Sequence, residues 1–80
     1  MDEQIIKILE KKIIEIKNED EKIKQIIDEF SNFDSISFSS GMIVGRLFNS
    51  FYYQHRRILK RGPTDIEFNE FLEFLKKQLR

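Results

Sequence analysis

From Asp2 to Phe30 the chain contains neither glycine nor proline, so no strong local breaker interrupts a helix over this stretch. Apolar residues recur there at Ile6, Leu9, Ile13, Ile16, Ile23, Ile27 and Phe30, and Asp20 takes the one polar slot. Their alternating spacing of three and four is a heptad seam sustained for over three heptads. It predicts one long helix over about residues 2–30. Ile5, Ile8, Ile14 and Ile26 widen the apolar stripe, which suits packing against more than one neighbour. The run Asn18-Glu19-Asp20-Glu21 is the place where a turn could divide this helix.

Residues 31–39 read as a serine-rich connector. Phe33, Ile36 and Phe38 are too apolar for a free linker, so the connector is expected to pack onto the core. Asp34, Ser37 or Ser39 is available to cap the next helix. That second helix is predicted over about residues 40–61, ended by Gly62-Pro63. Thr64-Asp65-Ile66-Glu67 then has the form of a capping box opening a third helix over about residues 65–79. Phe68, Phe71, Leu72, Leu75 and Leu79 line one of its faces. Acids come early in it and Lys76, Lys77 and Arg80 late, as the helix dipole favours. The predicted fold is all-α: a small three-helix bundle in one domain (1–80), with a long N-terminal helix packed on a C-terminal helical hairpin.

At 1.5 Å per residue the three helices would span roughly 43, 33 and 22 Å. The shorter two would not cover the first. A chain of 80 residues also buries only about 60% of its unfolded surface, and association is a common remedy. Ile6, Leu9, Ile13, Ile16, Asp20 and Ile23 are therefore the candidate oligomer seam, for a homodimer or another helical protein.

The formal charge is zero but unevenly placed. Between Gly41 and Gly62 the charged residues are Arg46, Arg56, Arg57, Lys60 and Arg61, all cationic, while the flanking segments are net acidic. On a helical wheel Arg46, Ser50, Tyr53, Arg57, Lys60 and Arg61 share one side, with Val44, Phe48, Phe51 and His55 opposite. Arg46, Tyr53, Arg56, Arg57, Lys60 and Arg61 are thus candidate contacts for nucleic-acid phosphates or for a protein partner. The competing account is internal: these cations neutralise acids of the first helix, or complement the C-terminal dipole of their own. A helix-turn-helix is disfavoured because Asp65, Glu67, Glu70 and Glu73 crowd the would-be recognition helix.

His55, the single histidine, lies in the apolar stripe, and Asp20 lies in the heptad seam. Antiparallel packing about the connector would set Asp20 level with Phe51, one turn from His55, so the two form a candidate buried polar pair. Gly41 and Gly45 form a small-xxx-small step that suits close approach of a neighbouring element. Thr64–Leu72 resembles the tail of an EF-hand. Leu59, Arg61 and Pro63 stand where that loop needs oxygen ligands, which excludes the calcium site.

There is no cysteine, no glycine-rich phosphate loop and no paired metal-ligand motif. No cofactor, no metal and no enzymatic activity are expected. No apolar run approaches the ~18 residues of a membrane span, and the first residues do not read as a signal peptide. The expected setting is cytoplasmic. The favoured function is a non-enzymatic oligomerisation or protein-interaction module. The alternative is a small nucleic-acid-binding protein that uses the basic face of its middle helix.

Overall fold

The computed structural model describes residues 1–29 and 34–79, and within them the side chains of Asp20 and Ser35 are not described. Phe30 of the predicted seam and Phe33 of the predicted connector lie outside the described residues. The described residues form helices only: α1 (Glu3–Lys17), α2 (Asp20–Glu29), α3 (Ser35–Gln54), a π-helical turn (His55–Leu59) that continues α3, and α4 (Asp65–Leu79). This is an all-α, small helical bundle.

The long first helix is divided. Asp2 caps α1 by accepting from the Ile5 N–H at 3.1 Å. At the far end the Asn18 N–H still reaches the Ile14 carbonyl (3.1 Å), but the Glu19 N–H turns to Ile16, three residues back (3.0 Å). The Glu19 carbonyl then accepts from Ile23 and starts α2. Asn18 is a poor helix former and a good terminator, so the polar run is a turn without any glycine or proline. α1 has 15 residues and α2 has 10, whereas α3 has 20 and its π-helical turn adds 5. The longest element is therefore α3, and both α1 and α2 pack along it.

α3 starts earlier than predicted because Asp34 is its cap. Asp34 Oδ1 accepts from the Ile36 N–H (3.1 Å), and the Ser37 hydroxyl donates to Oδ2 (2.8 Å). Ser35, Ser37 and Ser39, read as connector, lie in its first turns. Ile36, expected on the core, is 78% exposed. α1 consequently meets α3 in a register different from the one expected for a connector over 31–39. Glu19 is level with Arg46, and their side chains pair at 2.7 Å.

The core consists of Ile5, Leu9, Ile13, Ile16, Ile23, Leu47, Phe51 and Phe71. Of the candidate oligomer seam, Leu9, Ile13, Ile16 and Ile23 are buried in the chain's own core and Ile6 is half-buried beside them, while the Asp20 side chain is not described. The length mismatch that freed the seam vanishes once the first helix is divided and α3 extends over 25 residues including its π-helical turn. The buried face of α3 is also rotated from the predicted one. Leu47, Ser50, Phe51 and His55 are inside, whereas Val44 and Phe48 are outside, Phe48 at 41%. α4 attaches mainly through Phe71, whose ring stacks on Phe51 with centroids 4.3 Å apart.

Lys60 ends the π-helical turn in the left-handed region (φ 60°, ψ 27°). Gly62, the predicted terminator, does not have positive φ, and a Cβ built on it meets nothing within 4 Å. A left-handed conformation costs a non-glycine residue about 1 kcal/mol. Lys60→Gly is accordingly expected to raise stability by about 0.5–1 kcal/mol, while Gly62→Ala should leave it unchanged or slightly higher. Urea unfolding of both variants checks this; destabilisation by Lys60→Gly would contradict the assignment of the reversal to Lys60.

Candidate functional site

The cationic stripe of α3 is partly neutralised inside the chain. Arg46 pairs with Glu19 from the α1–α2 turn, and this pairing holds the Glu19 carboxyl below its ordinary value. Arg61 forms a two-pronged pair with Glu67, at 2.7 and 3.2 Å. Arg57 donates to the Gln54 side chain at 2.8 Å. Arg56 and Lys60 are exposed and meet no carboxylate among the described residues. Tyr53 is 60% exposed. Two of the five cations are thus neutralised within the chain, Arg46 by an acid of the predicted first helix and Arg61 by one at the start of α4, a source that the internal account did not name.

The groove between α1 and α3 collects part of the stripe. It has a volume of about 570 Å³, and its cationic lining is Lys11, Lys12, Arg46 and Arg57, with Tyr53 between them. The wheel of a single helix had no means of finding Lys11 and Lys12, since they come from the opposite wall. Arg46 and Lys12 already face carboxylates: Glu19 for the first and Glu15, at 3.2 Å, for the second. Arg56, Lys60 and Arg61 are not part of this groove.

His55 is fully buried. Its Nδ1 lies 2.8 Å from the Phe51 carbonyl, which can only accept, so Nδ1 carries a proton and donates. The same carbonyl also receives the His55 backbone N–H, which is shared with the Tyr52 carbonyl. This competition for one acceptor coincides with the widening into the π-helical turn. Nε2 lies 3.5 Å from Glu67 Oε2 without forming a hydrogen bond. Asp20, the predicted partner, has no described side chain. Its neighbour Glu19 is level with Arg46, nine residues from His55 or about 13 Å along α3. The carboxylate that does approach His55 comes from α4.

Glu67 joins four groups at the hairpin. The Thr64 N–H donates to it (2.9 Å), and in return the Glu67 N–H donates to Thr64 Oγ1 (3.1 Å). That reciprocal pair is the predicted capping box. Arg61 binds the same carboxylate from outside and His55 faces it from inside. The α4 N-terminus, the hairpin turn and the end of α3 are therefore tied at one side chain that is 12% exposed.

A further surface carries no charge. Phe48 and Tyr52 of α3 and Phe68 and Leu72 of α4 are 38–41% exposed and form one apolar face across the hairpin. The Phe48 ring is 5.3 Å from Tyr52 and 6.3 Å from Phe68, edge-on to both. Phe48 was predicted to lie in the core; the rotation of α3 is what exposes it. Among the described residues no group of three or more His, Asp or Glu side chains is placed to hold a metal ion, and no helix is long and apolar enough to cross a membrane. No family model, no curated protein and no solved structure matches the chain.

Arg61, and then the Thr64 N–H, hold the Glu67 carboxyl down at about 2, from an ordinary 4.5. A carboxyl depressed by folding stabilises the native state above its unfolded value, and the contribution fades as pH falls toward its folded value. Glu67→Gln is therefore expected to lower stability at pH 7 and to flatten the stability profile between pH 4.5 and 2. Urea titrations at stepped pH measure both effects. A variant with the wild-type slope in that window would remove Glu67 from the account.

Proposed function

We propose that the chain is a non-enzymatic protein-interaction module whose contact surface is the apolar face of α3 and α4. The observation that carries this reading is the exposure of Phe48, Tyr52, Phe68 and Leu72 as one continuous face on an 80-residue chain. Contiguous apolar area on a small domain marks a contact surface far more often than do scattered exposed apolar residues. Aromatic residues are enriched in the cores of protein interfaces. The surface differs from the one first expected, since the seam of the first helix is spent on the internal core. The lack of cysteine fits a reducing, cytoplasmic setting.

Phosphate contact through the middle helix is less well supported. Arg46 and Arg61 each hold a carboxylate of the same chain, so an incoming phosphate would first have to displace it. Weak, salt-sensitive attraction from Arg56, Arg57 and Lys60 is the most this surface offers.

Site-specific photo-crosslinking in cells of the source organism tests the proposal. A photoreactive phenylalanine analogue in place of Tyr52 is expected to yield discrete protein adducts. The same analogue at Ile14, exposed on α1 at 61%, is expected to yield none. Equal yields at both positions, or no adduct at Tyr52, would count against the α3–α4 face.

A further inference from the structure

Asp65, Phe68, Leu72 and Lys76 fall within an arc of about 80° on α4, as counted at 100° per residue. The line begins with an acid, continues through two apolar residues and ends with a base. Turned end over end by a two-fold axis, it becomes its own complement. Asp65 then lies beside Lys76 of the other copy, and Phe68 beside the other Leu72. A parallel arrangement would instead place Asp65 against Asp65 and Lys76 against Lys76.

We infer that the partner of the apolar face is a second copy of this chain, with the two α4 helices antiparallel across a two-fold axis near Glu70. This rests on the α3–α4 face being the contact surface. Three observations support the second copy in particular. The first is the self-complementary order along α4. The second is that both end charges are open to a partner. Asp65 is exposed and makes no ion pair within the described chain; Lys76 has only a solvated contact with Glu73, at 3.3 Å. The antiparallel arrangement also opposes the two helix dipoles favourably.

The third concerns α3. Gly41 and Gly45 share an arc of about 60° with Phe48 and Tyr52, and a Cβ on either glycine meets nothing within 4 Å. No described element of the chain takes up the close approach that these glycines permit. They lie beside the aromatic face, where a neighbouring helix can come near the backbone.

The two-fold makes a prediction that is hard to obtain otherwise. Asp65→Lys sets the introduced lysine against Lys76 twice in its own dimer, and Lys76→Asp puts two acids together twice. Each variant alone should dimerise roughly tenfold more weakly than wild type at low salt. Mixed one to one, they pair every new base with a new acid, and the mixture should form a heterodimer close to wild-type affinity. Sedimentation equilibrium on the full chain at ~50 mM salt reads all four samples, with circular dichroism to show that each is folded.

A wild-type chain that stays monomeric into the hundreds of micromolar would overturn the second copy. So would single variants that dimerise like wild type, or a mixture that gains nothing over its components. A variant that unfolds alone but pairs in the mixture would still support the two-fold. The second copy and the interaction module fail on different outcomes. Tyr52 adducts with a foreign protein and no adduct of twice the chain mass would overturn the second copy but leave the interaction module. No Tyr52 adduct at all would remove both.

Discussion

The first two helices pack along α3, the hairpin joins α4 to it, and the structure depends on this shared wall. Leu47 and Phe51 form its buried apolar stripe, with His55 continuing it one turn on. α1 and α2 lie along one side and reach it with Ile5, Leu9, Ile13, Ile16 and Ile23. α4 reaches it through Phe71. A buried histidine in such a stripe would be costly if its ring were unpaired. The Phe51 carbonyl, one helical turn back, accepts from Nδ1 and meets half of that demand. The helix widens at the same place into a π-helical turn and then reverses at Lys60. One local competition for a carbonyl thus accompanies both the bulge and the start of the hairpin.

The hairpin is held by polar contacts at its turn and by ring contacts further along, with Phe71 stacked on Phe51 and Phe48, and Phe68 edge-on to Phe48. Glu67 ties Thr64, Arg61 and the neighbourhood of His55 together at the closed end. Beyond that point Phe71 is the one fully buried residue among the described residues of α4. A buried phenylalanine is worth about 1.5–3 kcal/mol, so α4 is docked by a narrow strip. Phe74 and Leu75 pack partly buried against the core, while Phe68 and Leu72 are left half-covered beside Phe48. The same thin attachment that limits the stability of the hairpin creates the face proposed for contact.

Legibility in the sequence depends on the range over which each signal acts. α4 and its capping box were legible because Gly62-Pro63, Thr64 and Glu67 act within a few residues of one another. The helical class was legible from period alone. The divided first helix was not, since Asn18 ends α1 by a single shifted hydrogen bond and without a breaker residue. The early start of α3 was hidden by three serines that look like linker, although Asp34 caps them into a helix. That start sets the register, the rotation of the α3 face and the exposure of Phe48. A wheel drawn for α3 alone divides polar from apolar, yet its buried centre is set by where α1 lies. Arg46, Tyr53 and Arg57 share one side of that wheel and one groove; Lys11 and Lys12 join them only in three dimensions.

The segregated charge of the chain has a related reading. An acid-free helix in a neutral protein suggests a cation surface awaiting a polyanion. Here the chain supplies carboxylates for Arg46 and Arg61 at the two bends, where Glu19 and Glu67 stand. These pairs tie the middle of α3 to the α1–α2 turn and the residues after the π-helical turn to α4, and as largely surface pairs they contribute modestly to stability. Their larger effect is on what remains available. The strongest-looking charged feature is partly spent on internal pairing, and the heptad seam on the internal core. The apolar face across α3 and α4, flanked by an acid at one end and a base at the other, is the feature that no contact within the described chain uses up.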